Sequence, residues 1–351
     1  MKSFDYTIIG SAHELYITET HFGIVSLNDG TQTCIPQQYP FCGPWGENAI
    51  EIAPISDTLS VPTSFELAYL SIVEGNFYYL SIPINPRVME GLFETFSKQS
   101  SITPYCIMVG MAPYGGVALW LGNRQKQKLL GWLKSEAIDV PMKDFFPQQP
   151  EMPLHDYCME YINNDSCVKE NLEANGLPPR DLFDNYMKQF TYRYLPLFEH
   201  WDEDEEKWQA YTEEEQETKP ELDYIEEALY DGTHDKLHDG GLLKYHEAGK
   251  PKKIAVKWHI KKSEYYAYFW FEDEAIRAVF DKFYGIHPDT KTDFVIHIDP
   301  EKKKYELALY RYGMNEPKPI SEDAYQLIVF KNKFEQYRSP NYNQPRGAWI
   351  W

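Results

Sequence analysis

No run of about 18 consecutive apolar residues occurs in this 351-residue chain, so no membrane-spanning helix is expected. Its first stretch, MKSFDYTIIGSAHELYITET, has neither an apolar leader core nor a small-residue cleavage site. Basic residues are scarce: 34 Lys and Arg stand against 54 Asp and Glu, a formal net charge of −20. Affinity for a phosphate backbone comes from clustered Lys and Arg, so direct nucleic-acid binding is not expected. A basic protein is the partner that this charge favours. Cys34, Cys42, Cys106, Cys158 and Cys167 are odd in number and irregularly spaced, which argues against a disulfide framework and for a reducing compartment. The expected site is the cytoplasm, or the periplasm if a leader natively precedes the chain.

Catalytic signatures are missing too. No Walker loop, dinucleotide fingerprint, G-x-S-x-G elbow or H-E-x-x-H is present. Met111-Ala-Pro-Tyr-Gly-Gly-Val117 has the glycines of a phosphate loop but no lysine and no following helix, so it reads as a hairpin turn. His155 and Cys158, with Cys167 further on, have a metal-like spacing but lack a second clean pair. They are expected to be packing residues, as are His234 and His238 in a glycine-flanked segment. Cys106 sits in an apolar strand with no histidine partner in sequence. No catalytic residue, metal or cofactor is assigned.

What the chain does have is aromatic and repetitive. It holds 27 Tyr, and aromatic residues make up 16% of it. Tyr joins an apolar ring to a polar tip, which suits half-buried sheet surfaces. Two stretches, Glu74–Gly122 and Lys261–Gly313, look like one unit written twice. Each opens on an aromatic strand-like run, passes into an amphipathic helix, and leaves through two further strand-like runs. Met89, Leu92, Phe93 and Phe96 then fall on Ile276, Val279, Phe280 and Phe283, a buried helical stripe in both copies. Asn85-Pro86 is a helix start, with Asn at the cap and Pro in the first turn.

Elsewhere, strands are expected at Phe4–Ile9, Leu15–Thr18 and Gly23–Leu27, and a long irregular loop over 31–62 with a short strand near Ala49–Ile52. Helices are expected at Leu154–Ala174 and Pro179–Phe190, and from Ser321 to about Tyr337 on the stripe Leu327, Phe330, Phe334 and Tyr337. The terminal Trp349, Ile350 and Trp351 are expected to pack back on the body.

Between Glu199 and Asp239 stand 17 acidic residues against three lysines, 14 of the 20 net negative charges. Leu222, Ile225 and Leu229 have helical spacing, so one or two solvated helices are expected there. Trp201, Asp202, Glu203, Asp204, Glu205, Trp208 and Tyr211 are the candidate partner-binding residues. Their charges would steer a basic protein and their rings would anchor it.

Glu66–Phe93 followed by Ile107–Asn123 resembles an uncharacterised bacterial family, a domain of unknown function common in Bacteroidetes and Proteobacteria. Tyr69, Ser71, Glu74, Phe77 and Tyr78 match its first motif. Val109, Gly110, Ala112, Pro113, Gly115, Val117 and Trp120 match its second. The stretch Glu264–Trp351 also resembles longer members. The resemblance implies kinship with lipoproteins, whose lipobox leader this chain lacks, and with immunity proteins encoded near type VI secretion effectors. It supplies no catalytic residue.

The expected fold is α+β: two ββαββ units, each an antiparallel sheet with a helix on one face, plus a helical acidic insert. The expected division is 1–140, an acidic helical region at 141–250, and 251–351. The expected function is non-catalytic protein binding, including neutralisation of an effector or toxin. The alternatives are a hydrolase with a carboxylate-based site and a structural or regulatory subunit.

Overall fold

The computed structural model describes residues 2–338 except 36–39, 42, 44, 47–57, 100–104, 124, 216–217, 286–287, 315–316 and 333–334. The chain is a mixed α/β protein, 22% helix and 50% strand. It divides into unit 1, Met1–Met187 with Asp231–Thr233, and unit 2, Lys188–Tyr230 with His234–Trp351. Among the described residues no helix is long and apolar enough to cross a membrane.

Unit 1 opens with β1 (Ser3–Phe4), β2 (Tyr6–Ala12), β3 (Thr18–Leu27), β4 (Gln32–Ile35), β5 (Pro40–Phe41) and β6 (Leu59–Ser60). There follow β7 (Pro62–Ser71), β8 (Asn76–Pro83), α1 (Pro86–Gln99), β9 (Tyr105–Met111), β10 (Gly116–Gly122), β11 (Gln127–Lys134) and β12 (Glu136–Ile138). Short helices close it: α2 (Met142–Phe145), α3 (Leu154–Asn164), α4 (Ser166–Asn175) and α5 (Leu182–Tyr186). Strands β2-β9-β10-β11 lie side by side, β2 parallel to β9. A second sheet has the order β12-β8-β7-β3-β4, with β5 on β3. Alternate residues of both sheets enter one core, Phe65, Leu67 and Tyr69 from β7 and Ile107, Val109 and Met111 from β9. Met89, Phe93 and Phe96 of α1 complete it. The Asn85 side chain starts α1 by accepting from the N–H groups of Arg87 at 3.0 Å and Val88 at 3.4 Å.

Unit 2 opens with β13 (Phe190–Asp202), β14 (Lys207–Ala210), β15 (Glu221–Leu229), β16 (His234–Leu237), α6 (Asp239–Leu242) and β17 (His246–Ala248). Next come β18 (Pro251–Ile260), β19 (Ser263–Phe271), α7 (Asp273–Tyr284), β20 (Thr292–Asp299) and β21 (Lys304–Arg311). It ends with β22 (Lys318–Ile320), β23 (Tyr325–Lys331) and β24 (Glu335–Arg338). Strands β16-β15-β18-β19-β23-β24 are neighbours in one sheet. The other has the order β14-β13-β20-β21-β22, with β17 on β13 and β13 parallel to β20.

The two units share a nine-strand plan. β2-β9-β10-β11 matches β13-β20-β21-β22, and β12-β8-β7-β3-β4 matches β23-β19-β18-β15-β16. The match extends to single residues. β3 shifts register on β7 at His21 and again before Leu27, which pairs with Pro62. β15 shifts on β18 at Asp223 and again before Leu229, which pairs with Pro251. The Tyr6 hydroxyl donates to the Ser60 carbonyl at 2.6 Å, and that of Tyr192 to the Gly249 carbonyl at 2.8 Å. Ser60 and Gly249 each stand two residues before the paired proline. Bulges at equivalent places re-aim equivalent side chains, so they are features of the architecture rather than accidents of one copy.

Several expectations need correction. The two hairpins of each repeat do not form one four-stranded sheet: β7–β8 and β9–β10 lie in different sheets, as do β18–β19 and β20–β21. Residue periodicity identifies the elements, but it does not say that the helix between the hairpins carries the chain from one sheet to the other. The acidic stretch forms strands β13 to β16, not helices. The inward side chains of β15 are Ile225, Glu227 and Leu229, and the bulge at Asp223 brings Leu222 onto the same core. An inward glutamate and a bulge thus imitate helical spacing. Ser321 caps only the short turn Glu322–Ala324, after which β23 begins. The helix expected over 154–174 is broken at Asp165, whose carboxylate caps α4. That expected over 179–190 is only α5, and Phe190 already belongs to β13. Ala49–Ile52 and the tail from 339 lie outside the described residues.

Candidate functional site

Unit 1 contains an apolar cavity of about 330 Å³. Its wall draws on both sheets and on α1, with Ile8 from β2, Phe65 from β7, Ile107 from β9 and Leu119 from β10. Val88, Met89 and Leu92 form the helical side. Pro83, Lys128 and Leu130 also line it. Lys128 is the one titratable side chain in this lining, and it is exposed. Val88 is 57% exposed, so apolar surface continues from the cavity to solvent. A cavity of this size and lining falls in the range of small-ligand sites.

The equivalent place in unit 2 carries bulkier and more polar side chains. Ile8 stands two residues after Tyr6, and Tyr194 two after Tyr192. The parallel partner of Ile8 is Ile107, and that of Tyr194 is Phe294. Ile84 and Phe271 each precede their helix by one intervening residue. Val25 and Glu227 each stand two before the paired leucine. Tyr194 and Phe294 are fully buried. The Tyr194 hydroxyl donates to Glu227 Oε2 at 2.7 Å, which satisfies both polar groups inside the core. His246 Nε2 lies 3.7 Å from Glu227 Oε1. Burial works against charge on His246, but Glu227, the Lys244 carbonyl and Asp235 together outweigh it and raise its pKa.

The seven residues expected to bind a partner come together on a hairpin of unit 2. Trp201 and Asp202 end β13, Trp208 lies on β14, and Trp201 pairs with Trp208. Glu203, Asp204 and Glu205 occupy the exposed turn. Asp202 Oδ1 fixes that turn by accepting from the N–H groups of Asp204 and Glu205 at 3.0 and 3.1 Å. The rings are half-buried and already engaged. Trp208 stacks on His297 at 5.0 Å and donates its Nε1–H to Glu306 at 2.8 Å. Lys304 lies 4.0 Å over Trp201, and Tyr211 packs on His200 at 4.1 Å.

Other chemistry-bearing residues are occupied by packing. Burial raises the pKa of Glu19, against the hydrogen bond that it accepts from Tyr157 at 2.7 Å. Cys158 on α3 is buried, which pushes its thiol up to about 11, while Cys167 is exposed on α4. Among the described residues no group of three or more His, Cys, Asp or Glu could hold a metal ion.

The two sequence motifs form a clamp between hairpins. The Tyr69 hydroxyl on β7 reaches the carbonyls of Ala112 and Gly116, at 2.8 and 3.2 Å. Glu74 accepts from the Tyr114 N–H at 2.8 Å and from the Tyr78 hydroxyl at 3.0 Å. This holds Tyr114 at φ 59°, a left-handed conformation that costs energy for a bulky residue. A Cβ on Gly110 would stand 2.4 Å from the Trp120 ring, so only glycine lets that indole seat. Sequence reasoning found these residues but not the cavity. The available signal was a contrast between the copies, Ile84 and Ile107 in the first against Phe271 and Phe294 in the second.

No curated protein and no solved structure matches the chain. Residues 6–218 match the family described as Protein of unknown function (DUF2931). That span takes in the clamp, the cavity and the acidic hairpin, and covers more than half of the sequence: the chain belongs to this family of unknown function.

Proposed function

We propose that this is a non-catalytic binding protein whose ligand enters the apolar cavity of unit 1. The observation that carries the reading is the contrast between units. Unit 2 fills the corresponding place with Tyr194, Phe271 and Phe294, whereas unit 1 lines about 330 Å³ of it with aliphatic groups. The lining offers no nucleophile or carboxylate, and its one amine is on an exposed lysine, so it favours binding over chemistry. An uncharged environment-sensitive naphthylamine fluorophore tests this. It should bind one per chain and lose binding in Ile84→Phe/Ile107→Phe, a variant that imports the aromatic residues of unit 2. Equal binding by a folded variant would sink the reading.

A second reading concerns a protein partner at the hairpin of β13 and β14. The strand plan of unit 1 has no counterpart to β14 between β2 and β3, so the hairpin is an elaboration of unit 2. Loops added to a shared scaffold are where recognition concentrates. The partner would be a basic protein, such as an effector or toxin held inactive. Reversing Glu203, Asp204 and Glu205 to Lys should slow association with such a protein and flatten its salt dependence. An unchanged rate would remove the hairpin from the account.

A further inference from the structure

We infer that the cavity of unit 1 takes an unbranched alkyl chain ending in a carboxylate, with the tail among Ile8, Phe65, Met89, Ile107 and Leu119 and the headgroup at Lys128. The inference rests on the cavity reading above and names its ligand. The side chains that line the space are hydrocarbon or thioether apart from Lys128, so they provide no directional groups for a hydroxyl-rich or heteroaromatic ligand. Such groups would lose their water hydrogen bonds on entering and find no side-chain partners.

Lys128 sets the polarity of the headgroup. It lies on β11, is exposed, and makes no ion pair with any described residue. Its ammonium is thus a local positive charge beside an apolar cavity on a chain of net charge −20. It attracts one negative charge, whereas the net charge disfavours polyanions. A single carboxylate at one end of an apolar chain meets both conditions.

Size sets the length. At the roughly 30 Å³ that a water occupies in the liquid, the cavity holds on the order of ten methylene-sized groups. Val88 and Pro83 also line it, and both are exposed, so the tail has an apolar path in from solvent.

The test uses the full chain and two homologous series below their micelle concentrations, straight-chain carboxylates and the matching primary alcohols, titrated by displacement of the naphthylamine fluorophore. Affinity in both series should rise roughly fourfold per methylene and level off near ten carbons. At each length the carboxylate should bind roughly two- to fivefold tighter than the alcohol, as suits an exposed ion pair. That gap, taken as the ratio of the two affinities within one variant, should close in Lys128→Gln and shrink at high salt. Equal affinity for both series, or a gap that survives Lys128→Gln, overturns the headgroup assignment and leaves the cavity reading standing. Failure of the fluorophore and both series to bind overturns the two together.

Discussion

Units 1 and 2 share a strand plan, two bulges, a helix stripe and a tyrosine hydrogen bond, yet they fill their cores differently. Where unit 1 has Ile8, Val25, Ile84 and Ile107, unit 2 has Tyr194, Glu227, Phe271 and Phe294. Where unit 1 buries Val61 just before its paired proline, unit 2 buries Lys250. The backbone treats these two alike: their carbonyls accept from Asn28 and Tyr230, each at 2.9 Å. The difference teaches which residues make the fold and which make the site. Hairpin register, bulges and the helix stripe survive in both copies and fix the architecture. Side-chain volume at a few inward positions decides whether the space between the sheets is closed or open. Function is then a local departure from a common scaffold.

The sharpest way to break this comparison is to truncate one matched pair. Phe294 is fully buried and touches Tyr194 and Phe280, with centroids at 5.5 and 6.4 Å. Phe294→Ala should cost about 3–5 kcal/mol, the usual range for an aromatic lost from a packed core. Ile107 already faces an open cavity on one side and has fewer contacts to lose. Ile107→Ala should therefore cost about 2 kcal/mol or less, at the low end of its class. Denaturant unfolding of both variants reads the difference. Equal costs would mean that the cavity of unit 1 is closed in solution.

Much of this was legible in the sequence, for a definite reason. Helix stripes have a period, so Met89, Phe93, Ile276 and Phe280 announced α1 and α7, and the repeat followed. The Asn85-Pro86 start was equally local. What was not legible depended on contacts far apart in sequence. Ile225 and Leu229 seemed helical because Glu227 between them points inward, and only its bond to Tyr194, 33 residues earlier, explains a buried carboxylate there. Leu327 and Val329 alternate as a strand of unit 2, but charged neighbours and a capping serine imitated a helix start. The cavity needed both the alignment of the copies and the knowledge that their hairpins belong to opposite sheets.

Lys250 sharpens the comparison at intermediate size. It has no exposed surface, and burial pushes its pKa down to about 8 from an ordinary 10.5. The folded state thus binds the proton less tightly than the unfolded chain does. Stability should rise with pH between about 8 and 10.5, because the unfolded state holds more protons there. Lys250→Met, which resembles the apolar filling at Val61, should stabilise by about 1–3 kcal/mol at pH 7. The gain should fade as pH approaches 10.5. Thermal melts of both proteins across this range test it, and a gain independent of pH would assign the effect to packing rather than to charge.

The smallest effect concerns the polar pair that unit 2 has in place of Ile8 and Val25. His246 gains from Glu227, so its folded pKa lies above its ordinary value of 6.5. A raised histidine contributes stability that is fully present below the unfolded pKa and is lost as pH rises through the folded one. Glu227→Gln keeps an acceptor for Tyr194 but removes the negative charge that His246 faces. The stability difference between wild type and Glu227→Gln should therefore fall by about 0.5–1 kcal/mol from pH 6 to pH 9, since His246 is partly exposed and the contact is screened. Whether the variant is more or less stable overall does not matter to this test, because burying a charge in place of an amide carries a cost of its own that does not depend on His246. Only the slope reports the histidine. Val25→Ala supplies the control, because no charge faces an ionisable group through that side chain and its cost should be equal at both pH values. A flat difference for Glu227→Gln would mean that the Glu227–His246 contact of 3.7 Å carries no charge coupling, and that the polar filling of unit 2 rests on the Tyr194 hydrogen bond alone.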